Sequence, residues 1–108
     1  MPIRLKHGVK IDAISPQIVL AISVADSILR ELPAETVVTS CNDAVHRRGS
    51  LHNVGQAVDL RTRHIGNVMA ETFTGQLRSA LGAQFDVVLE SDHIHVEYQP
   101  KVAADRPL

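Results

Sequence analysis

The chain has 108 residues, 44% of them hydrophobic and 21% charged, with a formal net charge of −1. This length and composition predict a single globular domain, 1–108, that can bury a real core. The near-neutral charge argues against a nucleic-acid partner, the lone Cys41 excludes an internal disulfide, and no window approaches the ~20 apolar residues of a membrane span.

The N-terminal stretch MPIRLKHGVK lacks the apolar run of a signal peptide. We therefore expect a protein that is cytoplasmic when made, so that any export needs another route. A monomer is the expected oligomeric state.

The first predicted element is a helix over residues 16–32. Ser15 is a suitable N-cap, Pro16 fits the first helical position, and Pro33 ends the helix. Its apolar side chains recur at helical spacing on one face, which should pack on the core: Ile18, Ile22, Ala25 and Leu29.

A strand, a loop and a second strand follow. The β-branched stretch ETVVTSC, residues 35–41, predicts a strand. The polar, glycine-containing stretch NDAVHRRGSLHNVG, residues 42–55, predicts a loop. Alternating apolar and polar residues in QAVDLRT, residues 56–62, predict the second strand.

A second amphipathic helix is predicted over residues 67–81, and Gly82 is expected to cap its C-terminus. The expected core positions of this helix are Val68, Phe73, Leu77 and Leu81.

Two final strands are predicted, FDVVLE over residues 85–90 and HIHVEY over residues 93–98, with a tight connection at Ser91–Asp92. The remaining stretch, residues 99–108, has two prolines and little apolar content. We expect it to be a loose tail, with the core over about residues 3–98.

Strand periodicity places three polar side chains on one surface. In the second strand Asp59 faces away from its apolar neighbours, and in the last strand His93 and His95 do the same. His52 lies at the end of the preceding loop. Two histidines and a carboxylate that converge in this way suit zinc, although an exposed polar face with surface ion pairs would give the same pattern.

Two stretches carry a family resemblance. SLHNVGQAVDL, residues 50–60, has the form Ser-x-His-x-x-Gly-x-Ala-x-Asp, and a His-x-His strand follows it. Together they resemble the zinc peptidase superfamily that joins D-Ala-D-Ala carboxypeptidases, murein endopeptidases and the hedgehog signalling domain. The stretch ESDHIHVE, residues 90–97, is similar to the C-terminal motif of short phage and prophage peptidases of the M15 type. The resemblance covers about residues 35–98.

The resemblance implies an α+β fold of the hedgehog/DD-peptidase type. In that fold, a small, mainly antiparallel sheet carries the helices on one face and a zinc cleft on the other. One zinc ion per chain would be held by His52, Asp59 and His95, with His93 beside the scissile carbonyl. An alternative Glu-x-x-His pattern would instead make His93 the third ligand.

The resemblance also implies a catalytic base. Glu90 matches the family's base in the Glu-x-x-His pattern, which ends here at His93. Asp92 stands three residues before His95 and has the same form, so spacing alone leaves the choice between Glu90 and Asp92 open. We expect the base to be Glu90.

Two loop residues match substrate-lining positions of the family. Ser50 matches a position that contacts substrate, although its hydroxyl could equally bond its own loop. His46 is a candidate for the cleft wall. Many carboxypeptidases of this group carry an arginine in the stretch that matches VTSCNDAVH, and here it is missing. Arg47 or Arg48 could substitute for it.

The implied function is zinc-dependent hydrolysis of a peptidoglycan peptide bond that involves a D-amino acid. The missing arginine leaves both carboxypeptidase and endopeptidase action open. The alternative is a non-catalytic, zinc-containing binding module similar to hedgehog.

Overall fold

A computed structural model describes residues 2–41 and 56–100 of the chain. This part is an α+β domain with two helices and a mixed five-stranded sheet, which confirms the α+β part of the fold prediction. The elements in chain order are β1 (Arg4–Leu5), α1 (Pro16–Glu31), β2 (Val37–Ser40), β3 (Ala57–Arg61), α2 (Gly66–Leu81), β4 (Phe85–Leu89) and β5 (His93–Tyr98).

The strand order across the sheet is β1-β2-β3-β5-β4. β1 runs parallel to β2, and the other three neighbouring pairs are antiparallel. The sequence did not predict β1, because two exposed residues are too short to show an alternating pattern. The Arg4 N–H donates to the Thr36 carbonyl at 2.9 Å, which holds β1 at the edge of the sheet.

Helix α1 begins and ends almost as predicted. The Ser15 hydroxyl accepts a hydrogen bond from the Ile18 N–H at 3.2 Å, and Pro16 occupies the first helical position. This cap satisfies a backbone donor that has no partner within the helix. The four predicted core residues of α1 are all buried, so its apolar stripe packs on the sheet.

Helix α2 faces the core with a different set of residues from the one predicted. Phe73 and Leu77 are fully buried, but Val68 is 78% exposed, so that prediction was wrong. Val68 lies five residues before Phe73, a rotation of ~140° at 100° per residue, which turns it away from the sheet. Ala70 and Thr74 complete the buried stripe instead.

Gly82 ends α2, as predicted. It has a φ of 79°, a backbone conformation that residues other than glycine rarely adopt. Its N–H donates to the Arg78 carbonyl. Arg78 itself reaches the edge strand, where its Nε and Nη2 donate to the Val87 carbonyl at 3.1 and 2.8 Å.

The inner face of the sheet carries the alternating apolar residues of neighbouring strands. These side chains are almost completely inaccessible to solvent, as strand periodicity predicted, and they pack against both helices. They are Val38, Val58, Leu60, Val87, Ile94 and Val96. The outer face is therefore left to the polar residues of the same strands. No helix in residues 2–41 and 56–100 is long and apolar enough to cross a membrane.

Candidate functional site

The outer face of the sheet brings together polar side chains from β3 and β5. In the antiparallel β3–β5 pair, Asp59 is the direct partner of His95, and Arg61 is the direct partner of His93. Cross-strand partners project from the same face of a sheet, so these four side chains form one continuous polar surface.

Asp59 and Glu97 hold the imidazole of His95 from both sides. Its Nδ1 is 2.8 Å from Asp59 Oδ1, and its Nε2 is 2.7 Å from Glu97 Oε1. The side-chain amide of Gln99 donates to the other oxygen of Glu97. The ring of His95 is therefore fixed by a chain of hydrogen bonds that runs along β5.

This arrangement favours a protonated His95 in the metal-free protein. The pKa of His95 is raised to about 9. The hydrogen bond to Asp59 contributes most to this increase, partial burial opposes the increase, and the hydrogen bond to Glu97 adds to it. At neutral pH both ring nitrogens then donate to carboxylates.

His93 lies between three carboxylates. Its Nε2 is 2.8 Å from Glu90 Oε1 and 3.9 Å from Asp59 Oδ2, and its Nδ1 is 2.7 Å from Asp92 Oδ1. Partial burial disfavours the charged ring, but the hydrogen bond to Asp92 and the charges of Asp59 and Glu90 outweigh it and raise the pKa of His93. The hydrogen bond to His93 in turn lowers the pKa of Asp92.

The turn between β4 and β5 brings Glu90 to His93. The predicted tight connection at Ser91–Asp92 is present, and the Glu90 N–H donates to the His93 carbonyl at 2.8 Å. The pairing of Leu89 with Ile94 continues into this turn without a register change. Glu90 therefore lies on the same face as His93.

The structure brings four of the seven predicted site residues together: Asp59, Glu90, His93 and His95. The other three, His46, Ser50 and His52, lie outside the described residues, as do Arg47 and Arg48. Within the described ranges, no group of three or more His, Cys, Asp or Glu side chains is arranged as a complete metal site.

Asp59 and His95 nevertheless fit two positions of a zinc site. Two ligands bound at ~2.1 Å to a tetrahedral ion lie about 3.4 Å apart, so the observed 2.8 Å contact would have to open by only about half an ångström. A histidine that binds a metal through one ring nitrogen usually donates its other N–H to a carboxylate. Glu97 occupies that place on His95.

Glu97 was not among the residues predicted from the sequence. The signal for it was present, because a residue two positions from His95 on a strand projects from the same face. Strand periodicity therefore predicts the face of Glu97 but not its contact with His95.

A polar cleft of about 220 Å³ adjoins Asp59 and His93 on the outer face. A β-bulge between Val38 and Ser40 shifts the β2–β3 register, so that Ser40 becomes the partner of Asp59 and turns toward this cleft. The lining residues are Lys6, Thr39, Ser40, Asp59, Arg61, Arg63, Asp92 and His93.

No protein-family model matches the sequence, and no curated protein shows significant similarity to it.

Proposed function

We propose that this chain is a zinc-dependent peptidase that hydrolyses a peptidoglycan peptide bond involving a D-amino acid. The observation that carries the proposal is the position of Glu90. Its carboxylate is outside the proposed ligand set, contacts His93 at 2.8 Å, and lies on the same sheet face as the Asp59–His95 pair.

Asp59 and His95 would hold the zinc ion, with His52 from the loop as the third ligand. Bound zinc would supply a Lewis acid that polarises the peptide carbonyl and lowers the pKa of a coordinated water. Glu97 fixes the ring of His95 so that Nδ1 faces Asp59 and stays directed at the metal position.

Glu90 and His93 have separate proposed roles. The Glu90 side chain is 51% exposed, so its carboxylate can take a proton from the attacking water and pass it to the leaving amine. His93 is held beside it with a raised pKa. Its Nε2–H contacts Glu90 at 2.8 Å and would have to leave that carboxylate to donate a hydrogen bond to the oxyanion that develops on the carbonyl.

The alternative base, Asp92, is less suited to this work. Its carboxylate accepts a hydrogen bond from His93 Nδ1, whereas Glu90 contacts the other ring nitrogen, Nε2. The same bond lowers the pKa of Asp92, which weakens it as a proton acceptor.

The direct test is incubation of zinc-loaded protein with purified peptidoglycan, followed by mass analysis of the released fragments. We expect the mass of water to be added at one type of peptide bond, and no release by Glu90→Gln. A protein that binds one zinc per chain and leaves every wall fragment intact would instead be a binding module.

A further inference from the structure

Three basic side chains are among the residues that line the cleft beside Asp59 and His93. They are Lys6, Arg61 and Arg63, and together we call them the cationic cleft. The acidic residues in the same lining are Asp59 and Asp92, each of which is hydrogen-bonded to a histidine.

Backbone contacts fix each of these basic residues in place. Arg61 ends β3 directly opposite His93, so its side chain shares the outer face. The chain then continues through the buried Thr62, whose N–H donates to the Asp92 carbonyl at 2.9 Å, and this contact places Arg63. Lys6 follows β1, and its N–H donates to the Val38 carbonyl at 2.8 Å.

Within the described part of the chain, the three basic residues of the cationic cleft outnumber its two carboxylates, and Arg63 acts on Asp92 through its charge without a direct salt bridge. Elsewhere in residues 2–41 and 56–100, Arg4 pairs with Glu35 and Arg30 pairs with Asp26. Lys6, Arg61 and Arg63 form no ion pair of this kind there. Three positive charges in a cleft, one of them on a half-buried arginine, suit an anionic ligand.

We propose that the cationic cleft binds a carboxylate of the peptide substrate, an inference that rests on the peptidase function proposed above. Arginine binds carboxylates through two parallel N–H···O bonds, and lysine adds a point charge. The carboxylate could be the free C-terminus of the peptide or a side-chain carboxylate, and both would make the same contacts.

The strand geometry sets how far that carboxylate lies from the cleaved bond. Arg61 is two residues from Asp59 along β3, a spacing of ~6.8 Å. An extended peptide covers that distance in about two residues. The cationic cleft therefore selects substrates whose carboxylate is within one or two residues of the scissile bond.

The test measures binding of stem peptides to zinc-loaded Glu90→Gln protein, in which turnover is blocked. The probes are one peptide that ends in D-Ala-D-Ala with a free carboxylate, its C-terminal amide, and a version in which the side-chain carboxylate alone is amidated. We expect amidation of the recognised carboxylate to weaken binding about tenfold or more, and the other amidation to have little effect. The peptide that loses affinity identifies the source of the carboxylate.

In the same background, Arg61→Gln should remove the preference for the acid over the amide, and Arg63→Gln and Lys6→Gln should each reduce it. Lys10→Gln is the matched control, because Lys10 is exposed and does not line the cleft. Arg63 and Lys6 are also exposed, so their variants remain informative if Arg61→Gln does not fold.

Failure of this inference is distinguishable from failure of the peptidase proposal. Equal binding of acid and amides by a protein that hydrolyses peptidoglycan would overturn the carboxylate site alone. Acid-selective binding that Arg61→Gln removes, in a protein without hydrolytic activity, would support the carboxylate site and overturn the peptidase.

Discussion

His95 lies directly opposite Asp59 in the antiparallel β3–β5 pair, with its Nδ1 2.8 Å from Asp59 Oδ1. The pairing of the two strands holds these two groups in register, so their proximity is set by the sheet itself. In the zinc site that we propose, Asp59 and His95 supply two of the three protein ligands and His52 supplies the third.

Replacement of His95 by alanine should abolish stoichiometric zinc binding, since it removes the nitrogen that faces Asp59. His93→Ala should largely retain the metal, because the closest approach of His93 to Asp59 is 3.9 Å. Elemental analysis of the purified variants measures both. Retained zinc in His95→Ala together with lost zinc in His93→Ala would make His93 the third ligand.

Glu90→Ala should keep the fold and the zinc but lower peptidase activity by a factor of at least ~10², because it removes the proton acceptor and leaves the Lewis acid. The readout is the initial rate on peptidoglycan fragments, with zinc content measured on the same sample. Asp92→Ala is the control, since Asp92 also contacts His93. A larger loss in Asp92→Ala than in Glu90→Ala would move the base to Asp92.

Glu97→Ala should weaken zinc binding ~10-fold to 100-fold, because the ring of His95 loses the acceptor for its Nε2–H. Glu97→Gln keeps an oxygen acceptor and should recover part of the loss. Competition with a chelator of known affinity gives the metal affinity without reference to activity. Glu71→Ala, on the exposed face of α2, is the control and should bind zinc like the wild type. Unchanged affinity in Glu97→Ala would show that Glu97 does not orient His95.

The stability of the zinc-free protein should fall as the pH rises. The pKa of His95 is raised from 6.5 to about 9 in the folded state, first by its hydrogen bond to Asp59. The folded state therefore binds this proton more tightly than the unfolded state. The stabilisation is complete below pH ~6.5 and is lost as the pH passes ~9, with a total of roughly 1–3 kcal/mol.

Urea unfolding in the presence of a chelator, repeated between pH 6 and 9.5, measures this effect. His95→Gln should show a smaller decrease in the free energy of unfolding over that range. Some decrease should remain, because the pKa of His93 is raised as well and acts with the same sign. A wild-type protein whose stability does not change over this range would contradict the predicted protonation of His95.

Strand and helix periodicity predicted most of the fold. The alternation in β3 and β5 correctly separated Val58 and Ile94 from Asp59 and His95, because each strand has one face on the core. Periodicity failed at Val68, where the apolar residue at the start of α2 lies on the solvent side. A single exposed apolar residue has little energetic cost, so sequence alone does not mark it.

Other features depend on contacts that a linear pattern does not contain. The β-bulge that turns Ser40 toward Asp59 comes from the pairing of two strands, and neither strand shows it alone. The cationic cleft collects Lys6 from one end of the chain and Arg63 from its middle. Each appears in the sequence as an ordinary surface charge, and only the sheet order shows that they meet.

The contact of Arg78 with β4 changes what the edge of the sheet offers to a second strand. β4 is an edge strand, and an unpaired carbonyl on such a strand can accept a strand from a second molecule. The Arg78 guanidinium already occupies the Val87 carbonyl with two hydrogen bonds. At the opposite edge of the described sheet, β1 offers only two residues for pairing. An incoming strand would therefore have to displace Arg78 to use the central carbonyl of β4, and at the opposite edge it would meet only two residues of β1.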